Sequence, residues 1–230
     1  MLLSRNAKTE KSEEYGYNNL ILQLLPHKNN SFGKNLCPMA NGCEQTCLVY
    51  TGRGMFPNVI NARKQKTEFF IRDKYAFTKQ LINEIDKIKN KDNLAIRLNG
   101  FSDISWENIR FDSKNVFEYF PQIKFYDYTK IPNRMNLEIP NYHLTFSGST
   151  DNWYLCEEML MKGKNVAIVF KDQIPQVFNS WVVIDGTLHD LRFLDPKYVI
   201  TGLVYKSVKN SKSTGKDNKT LLNSSKLVYV

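Results

Sequence analysis

Leu94-Ala-Ile-Arg-Leu-Asn99 decides the fold, because the hydrophobic period changes there. Upstream, Phe69, Phe70, Tyr75, Phe77, Leu81, Ile82, Ile85 and Ile88 recur at roughly helical spacing, with charged residues between them. From Leu94 the run is short, apolar and extended in character, which predicts a strand. Downstream the same switch recurs. Strands are predicted at 123–128, 142–147, 165–170, 181–184 and 198–205, and upstream at 18–25, where Pro26 ends the run. Helices are predicted within 58–91, with Asp73 capping a second one. Two short ones are predicted within 106–120, and another over 150–162, with Thr150 or Asp151 as cap and Gly163 as stop.

Strands that alternate with helices argue for a parallel sheet covered by helices. No repeat or Pro/Gly-rich linker divides the chain. The expectation is therefore one α/β domain over 18–205, a parallel β/α barrel or partial barrel with helices outside. An open doubly wound sheet is the other solution. Residues 1–17 read as a flexible arm and 206–230 as a lysine-rich polar tail. Polar residues gather just after the strands: Asn99, Ser102 and Asp103; Asp127, Thr129 and Lys130; Ser147 and Ser149; Lys171; Asp185 and Asp190. Barrels and open parallel sheets both build their sites at the carboxyl ends of strands, so the location is robust to the closure.

Cys37-Pro-Met-Ala-Asn-Gly-Cys43-Glu-Gln-Thr-Cys47 is the most chemically specific stretch. It follows the first predicted strand, which places three thiols at that same carboxyl edge. The opening residues lack an apolar signal core, so a cytoplasmic chain with reduced thiols is expected. Three cysteines in one loop then point to a metal. A 4Fe-4S cluster held by Cys37, Cys43 and Cys47 keeps one iron open. Structural zinc needs a fourth ligand, which His27 or Cys156 would have to supply. Three free packed thiols are the remaining reading.

Other residues carry weaker signals. Arg53, between two glycines, suits a carboxylate or phosphate. Asn99, Ser102, Asp103 and Lys130 are candidates for holding a cofactor, with Lys130 and Asp103 the catalytic candidates. Tyr126 and Tyr128 could stack a base. His143 reads as a core histidine, and His189 lies near Asp185 and Asp190. Cys156 reads as helix core.

The 230 residues are 42% hydrophobic and 24% charged, ordinary for a globular protein, and no apolar run reaches membrane-span length. A monomer in the cytoplasm is expected, with no membrane. The net charge of +9, the lysines from Lys206 to Lys226 and twelve tyrosines keep nucleic acid open as a partner. The alternative function is thus a basic, metal-stabilised nucleic-acid-binding protein.

The three-cysteine loop after the first strand of a β/α sheet resembles the radical SAM superfamily. That resemblance implies a 4Fe-4S cluster whose open iron takes S-adenosylmethionine. The spacing here is wider than the family's, Thr46 replaces its aromatic residue, and Asn99-Gly-Phe-Ser-Asp103 stands where a Gly-Gly-Glu would be. A second resemblance covers about Gly16 to Gly202. It rests on Cys37-Pro38, Cys43, Cys47, Thr51-Gly-Arg-Gly-Met-Phe-Pro-Asn58, Arg97-Leu-Asn-Gly-Phe-Ser-Asp103, Phe125-Tyr-Asp-Tyr-Thr-Lys130, Tyr142-His-Leu-Thr-Phe-Ser147 and Leu191-Arg-Phe-Leu-Asp195. These are similar to the bacteriophage gene-product-eighty-eight family, which implies a viral or prophage origin.

Overall fold

The computed structural model describes residues 1–40, 43–205 and 227–228. The strands are β1 (Leu3–Ser4), β2 (Asn18–Leu22), β3 (Leu94–Arg97), β4 (Lys124–Thr129), β5 (Tyr142–Ser147), β6 (Val166–Phe170), β7 (Val177–Phe178), β8 (Trp181–Asp185), β9 (Ile200–Val204) and β10 (Leu227–Val228). The helices are α1 (Ala7–Glu10), α2 (Pro57–Arg72), α3 (Lys74–Asp86), α4 (Val116–Tyr119) and α5 (Trp153–Met161). One sheet runs in the order β1-β2-β3-β4-β5-β6-β9-β8-β7, with β10 paired to β6. Pairing is parallel from β2 through β6 to β9 and from β9 to β8. It is antiparallel at β1–β2, β7–β8 and β10–β6. The sheet ends at β1 and β7 and stays open, so the expected barrel closure is not found.

Alternate residues of each strand face opposite sides. Leu22, Leu94, Ile96, Phe125 and Tyr142 pack with Phe70, Phe77, Leu81 and Ile85 of α2 and α3 and with Phe117 of α4. Phe146, Val166 and Ile168 pack with Cys156, Met159 and Leu160 of α5. Strand register puts both groups on one side, with Phe146 opposite Val166. Sequential strands with helices on one side are what right-handed crossovers produce. The other side is covered by irregular segments: Tyr17, Leu191 and Phe193 lie over Ala95 and Tyr126.

Local chemistry sets the element ends. Asp73 caps α3 by accepting from the Ala76 amide at 2.8 Å. Asn115 and Glu118 form a capping box on α4. Gly163, at φ +77°, stops the chain after α5. The strand expected over 18–25 ends at Leu22, because the Leu25 amide turns to Thr67 Oγ1 of α2 at 2.8 Å. The strand expected from residue 198 starts at Ile200, since Tyr198 has a positive φ.

The expected arm over 1–17 needs correction, because it is docked. Leu2 and Leu3 are buried, β1 pairs with β2, and the amides of both leucines donate to the Glu84 carboxylate. Two leucines suffice because they cover the apolar side of β2 and α3. Of the tail at 206–230, only β10 is described, so the tail lysines lie outside the described residues.

Phe77 is fully buried between Phe69, Phe70 and Trp106. Phe77→Ala should lower unfolding free energy by about 3–5 kcal/mol in urea denaturation. A loss below about 1 kcal/mol would mean that α3 is not docked on this core.

Candidate functional site

The carboxyl edge of the parallel strands is organised by buried carboxylates. β3 is followed by a turn whose hub is Asn99. Its amide nitrogen donates to Asp127 Oδ1 at 2.7 Å and its Nδ2 to Asp127 Oδ2 at 3.1 Å. Its Oδ1 accepts from Ser102 Oγ and from the Ile104 amide, both at 2.9 Å. Gly100 comes so close to β2 that a Cβ there would stand 2.8 Å from the Leu22 carbonyl oxygen. Asp103 clamps the end of β4: Oδ2 accepts from the Lys130 amide at 2.8 Å and from Thr129 Oγ1 at 3.2 Å, and Oδ1 pairs with Arg134 at 2.7 Å. Arg134 also forks onto Glu107 at 2.8 and 3.0 Å and donates to Tyr142 Oη, which donates to Asp127. Asn99, Ser102 and Asp103 are thus engaged with one another and with the strands.

The cysteine loop docks on this turn. The Asp103 amide donates to the Leu36 carbonyl at 2.8 Å, and Cys37 Sγ donates to the Phe101 carbonyl at 3.3 Å. Cys37, Cys43 and Cys47 are all free thiols. The three lie close enough for their charges to interact. Burial pushes Cys37 up to about 12, the His27 backbone amide opposes this, and Cys47, Asp103 and Cys43 push it further. Burial raises Cys47 to about 11, against a hydrogen bond from Val49, with Cys43 raising it and Arg63 lowering it. Burial raises Cys43 as well, opposed by Lys130. Ionising these thiols therefore requires a compensating cation at the loop.

Two cations and one imidazole stand beside the thiols. Lys130 Nζ lies 3.4 Å from the Ser147 carbonyl oxygen, and burial lowers its pKa against the influence of Cys43 and Cys156. Arg63, on α2, is buried beside Cys47 and sits over the Phe101 ring at 4.6 Å, with bonds to Gly54 and Gln23. His27 is buried with neither ring nitrogen hydrogen-bonded, and Nδ1 lies 3.5 Å from the Glu44 carboxylate. Among the described residues, no three His, Cys, Asp or Glu side chains converge on a point that one metal ion could occupy. Tetrahedral zinc would draw its thiolates to within about 4 Å of one another. A four-iron cluster gives each cysteine a different iron and so spreads the thiolates out from alternate corners of a cube. Three cysteine thiols are a donor set of the kind that either group takes.

The structure thus brings Cys37, Cys43, Cys47, Asn99, Ser102, Asp103 and Lys130 to one edge. The Arg53 side chain and residues Asn41 and Gly42 lie outside the described set. Tyr126 is spent on Asn19, at 2.8 Å, and the Tyr128 ring carries Arg97 at 4.6 Å. Neither ring is a free stacking platform. His143 lies at the start of β5, away from this edge. Cys156 is helix core, as its neighbours suggested. Arg63 and Arg134 escaped the sequence reading. The spacing of Arg63 and Thr67, one turn apart and both buried, was the available signal for the first. Arg134 sits in a short irregular turn, Pro132–Asn136, that has no periodicity to read.

A family model described as gene product 88 matches residues 1–219. No curated protein and no solved structure matches the chain, so the radical SAM resemblance gains no support from known structures. Among the described residues, no helix is long and apolar enough to cross a membrane.

Burial raises Asp127 to about 7, against bonds from Asn99 and Tyr142 and the charges of Arg97 and Arg134. An unfolded aspartate ionises near its ordinary value of 3.8. The folded state therefore holds this proton longer, and stability falls as pH rises from there to about 7. Asp127→Asn should flatten that part of the profile. Urea midpoints of both proteins at about pH 5 and about pH 8 check it, and equal slopes would refute the assignment.

Proposed function

We propose that this chain, which belongs to the gene product 88 family, is an iron–sulfur protein with a 4Fe-4S cluster on Cys37, Cys43 and Cys47. The observation that supports the reading most is the gathering of three unpaired thiols from one loop at the carboxyl edge of the sheet. Lys130 stands beside Cys43 and Arg63 beside Cys47. The two cations offset the charge that three thiolates bring into a buried site. When bound, the cluster supplies one-electron transfer or an iron open to a further ligand.

The protein's own residues do the positioning. Asp103 holds the Lys130 backbone, so the Lys130 ammonium is presented next to Cys43, where it would pair with an anionic group of a ligand. Phe101 receives the Cys37 thiol at its carbonyl and the Arg63 guanidinium on its ring, so this one turn sets two sides of the loop. His27, whose ring nitrogens have no hydrogen-bond partner, is the imidazole available as a further ligand. S-adenosylmethionine at the open iron is the finer version of this reading, in which the Lys130 ammonium would meet the ligand's carboxylate.

Anaerobic purification or reconstitution should give a brown protein with about four irons and matching sulfide per chain. Cys37→Ser, Cys43→Ser or Cys47→Ser should each lose most of the iron while keeping the fold by circular dichroism. A colourless protein with one zinc per chain would replace the cluster by a structural metal. For the finer reading, reduced protein is incubated with S-adenosylmethionine and assayed for 5′-deoxyadenosine. No product from cluster-loaded protein would leave a redox or structural cluster.

A further inference from the structure

The opposite, amino edge of the parallel strands carries a cavity of about 370 Å³ that borders Arg134 and Tyr142 of the buried network but none of the three thiols. Its wall includes His143 of β5, Lys164 and Asn165 before β6, and Phe193, Lys197 and Tyr198 before β9. Three observations set it apart from an ordinary surface dent.

The first is charge without partners. Lys162, also on the wall, pairs with Glu158, and Arg134 pairs with Glu107 and Asp103. Asp195 is taken by Arg192 and by Thr201. Lys164 and Lys197 have no ion pair among the described residues, so the cavity keeps a net positive charge. The second is a neutral ring on the wall. His143 is half-buried there, and burial, Arg192 and Lys164 hold its pKa down to about 4, so it adds no charge at physiological pH.

The third is a strained aromatic at the mouth. Tyr198 has φ of 64°, an unusual region for a bulky residue, and it is 56% exposed. Its ring rests on Gly163, where a Cβ would stand 3.0 Å from ring carbons. The backbone is held in a costly conformation to lay a ring at the rim, with one face covered and much of it open. Strain kept in this way marks functional positions.

We propose that this cavity binds a nucleoside monophosphate, with the phosphate between Lys164 and Lys197 and the base on Tyr198. Lysines serve phosphate as point charges, an aromatic face accepts a base, and the volume lies in the range of small-ligand sites. The site is separate from the cluster site, and its test does not depend on iron.

Calorimetric titration of the full chain with adenosine 5′-monophosphate, inorganic phosphate and adenosine tests it. The monophosphate should bind tightest, phosphate more weakly, and adenosine hardly at all. Lys164→Ala/Lys197→Ala, both away from the core, should weaken the monophosphate at least about tenfold. Tyr198→Gly, which relieves the strain, should weaken the monophosphate but leave phosphate unchanged. Cys37→Ser/Cys43→Ser/Cys47→Ser should bind as the parent does, so loss of the cluster and loss of this site are read separately. Absence of monophosphate binding, or binding unaffected by the double lysine substitution, would overturn the proposal. Equal affinity for phosphate and monophosphate would remove the base from it.

Discussion

The burial of Asp127 is the constraint on which the carboxyl edge depends. A carboxylate with no solvent exposure must have its oxygens satisfied, and here the donors come from two places in the chain. Asn99 brings the turn after β3, Tyr142 brings β5, and Tyr142 in turn holds Arg134. Arg134 passes the requirement on to Glu107 and Asp103, and Asp103 fixes the backbone of Lys130. None of these groups can relax alone, because each leaves a buried partner unsatisfied. The loop that carries the thiols leans on the same turn through Leu36 and Phe101. Such networks are high-stakes: complete, they fix one arrangement, and broken, they leave buried charge.

Much of the architecture was legible because it is written in periods. The strands from Leu94 to Val204, the break at Asp73 and the stop at Gly163 are local signals, and local forces decide them. Closure is not local. It depends on strand tilt and register, which the pattern of Val166 to Phe170 does not encode. The docking of Leu2 and Leu3 was hidden for a similar reason, since two apolar residues in a polar segment have no period. At the site, residue types were legible and engagement was not. Asn99, Ser102 and Asp103 looked like free polar groups after a strand. Their partners, Asp127, Arg134 and Thr129, come from further along the chain, beyond the reach of spacing arguments.

The two edges of the sheet are built differently. At the carboxyl edge, cations sit beside thiols next to the carboxylate network of Asp127 and Asp103. At the amino edge, Lys164 and Lys197, without ion pairs among the described residues, line an open cavity. β4 and β5 run between them, and the inward side of these strands carries Tyr126, Tyr128, His143 and Thr145 in register. Arg97 and Asp190, paired at 3.0 Å, occupy the same interior. The side of the sheet without helices therefore mixes a small apolar cluster around Ala95 and Leu191 with buried polar groups, and irregular segments rather than an apolar helix cover it.

The strand order also dictates how the chain can assemble during synthesis. From β2 to β6 each strand pairs with the one made just before it, so the sheet can lengthen in step with the ribosome. β9 breaks that rule, because it slots between β6 and the earlier β8. Until residues 200–204 emerge, β6 has a bare edge and the β7–β8 hairpin has no sheet to join. A bare edge on a nearly finished parallel sheet is an aggregation hazard. The nascent chain passes through its most vulnerable stage late, after most of its core exists.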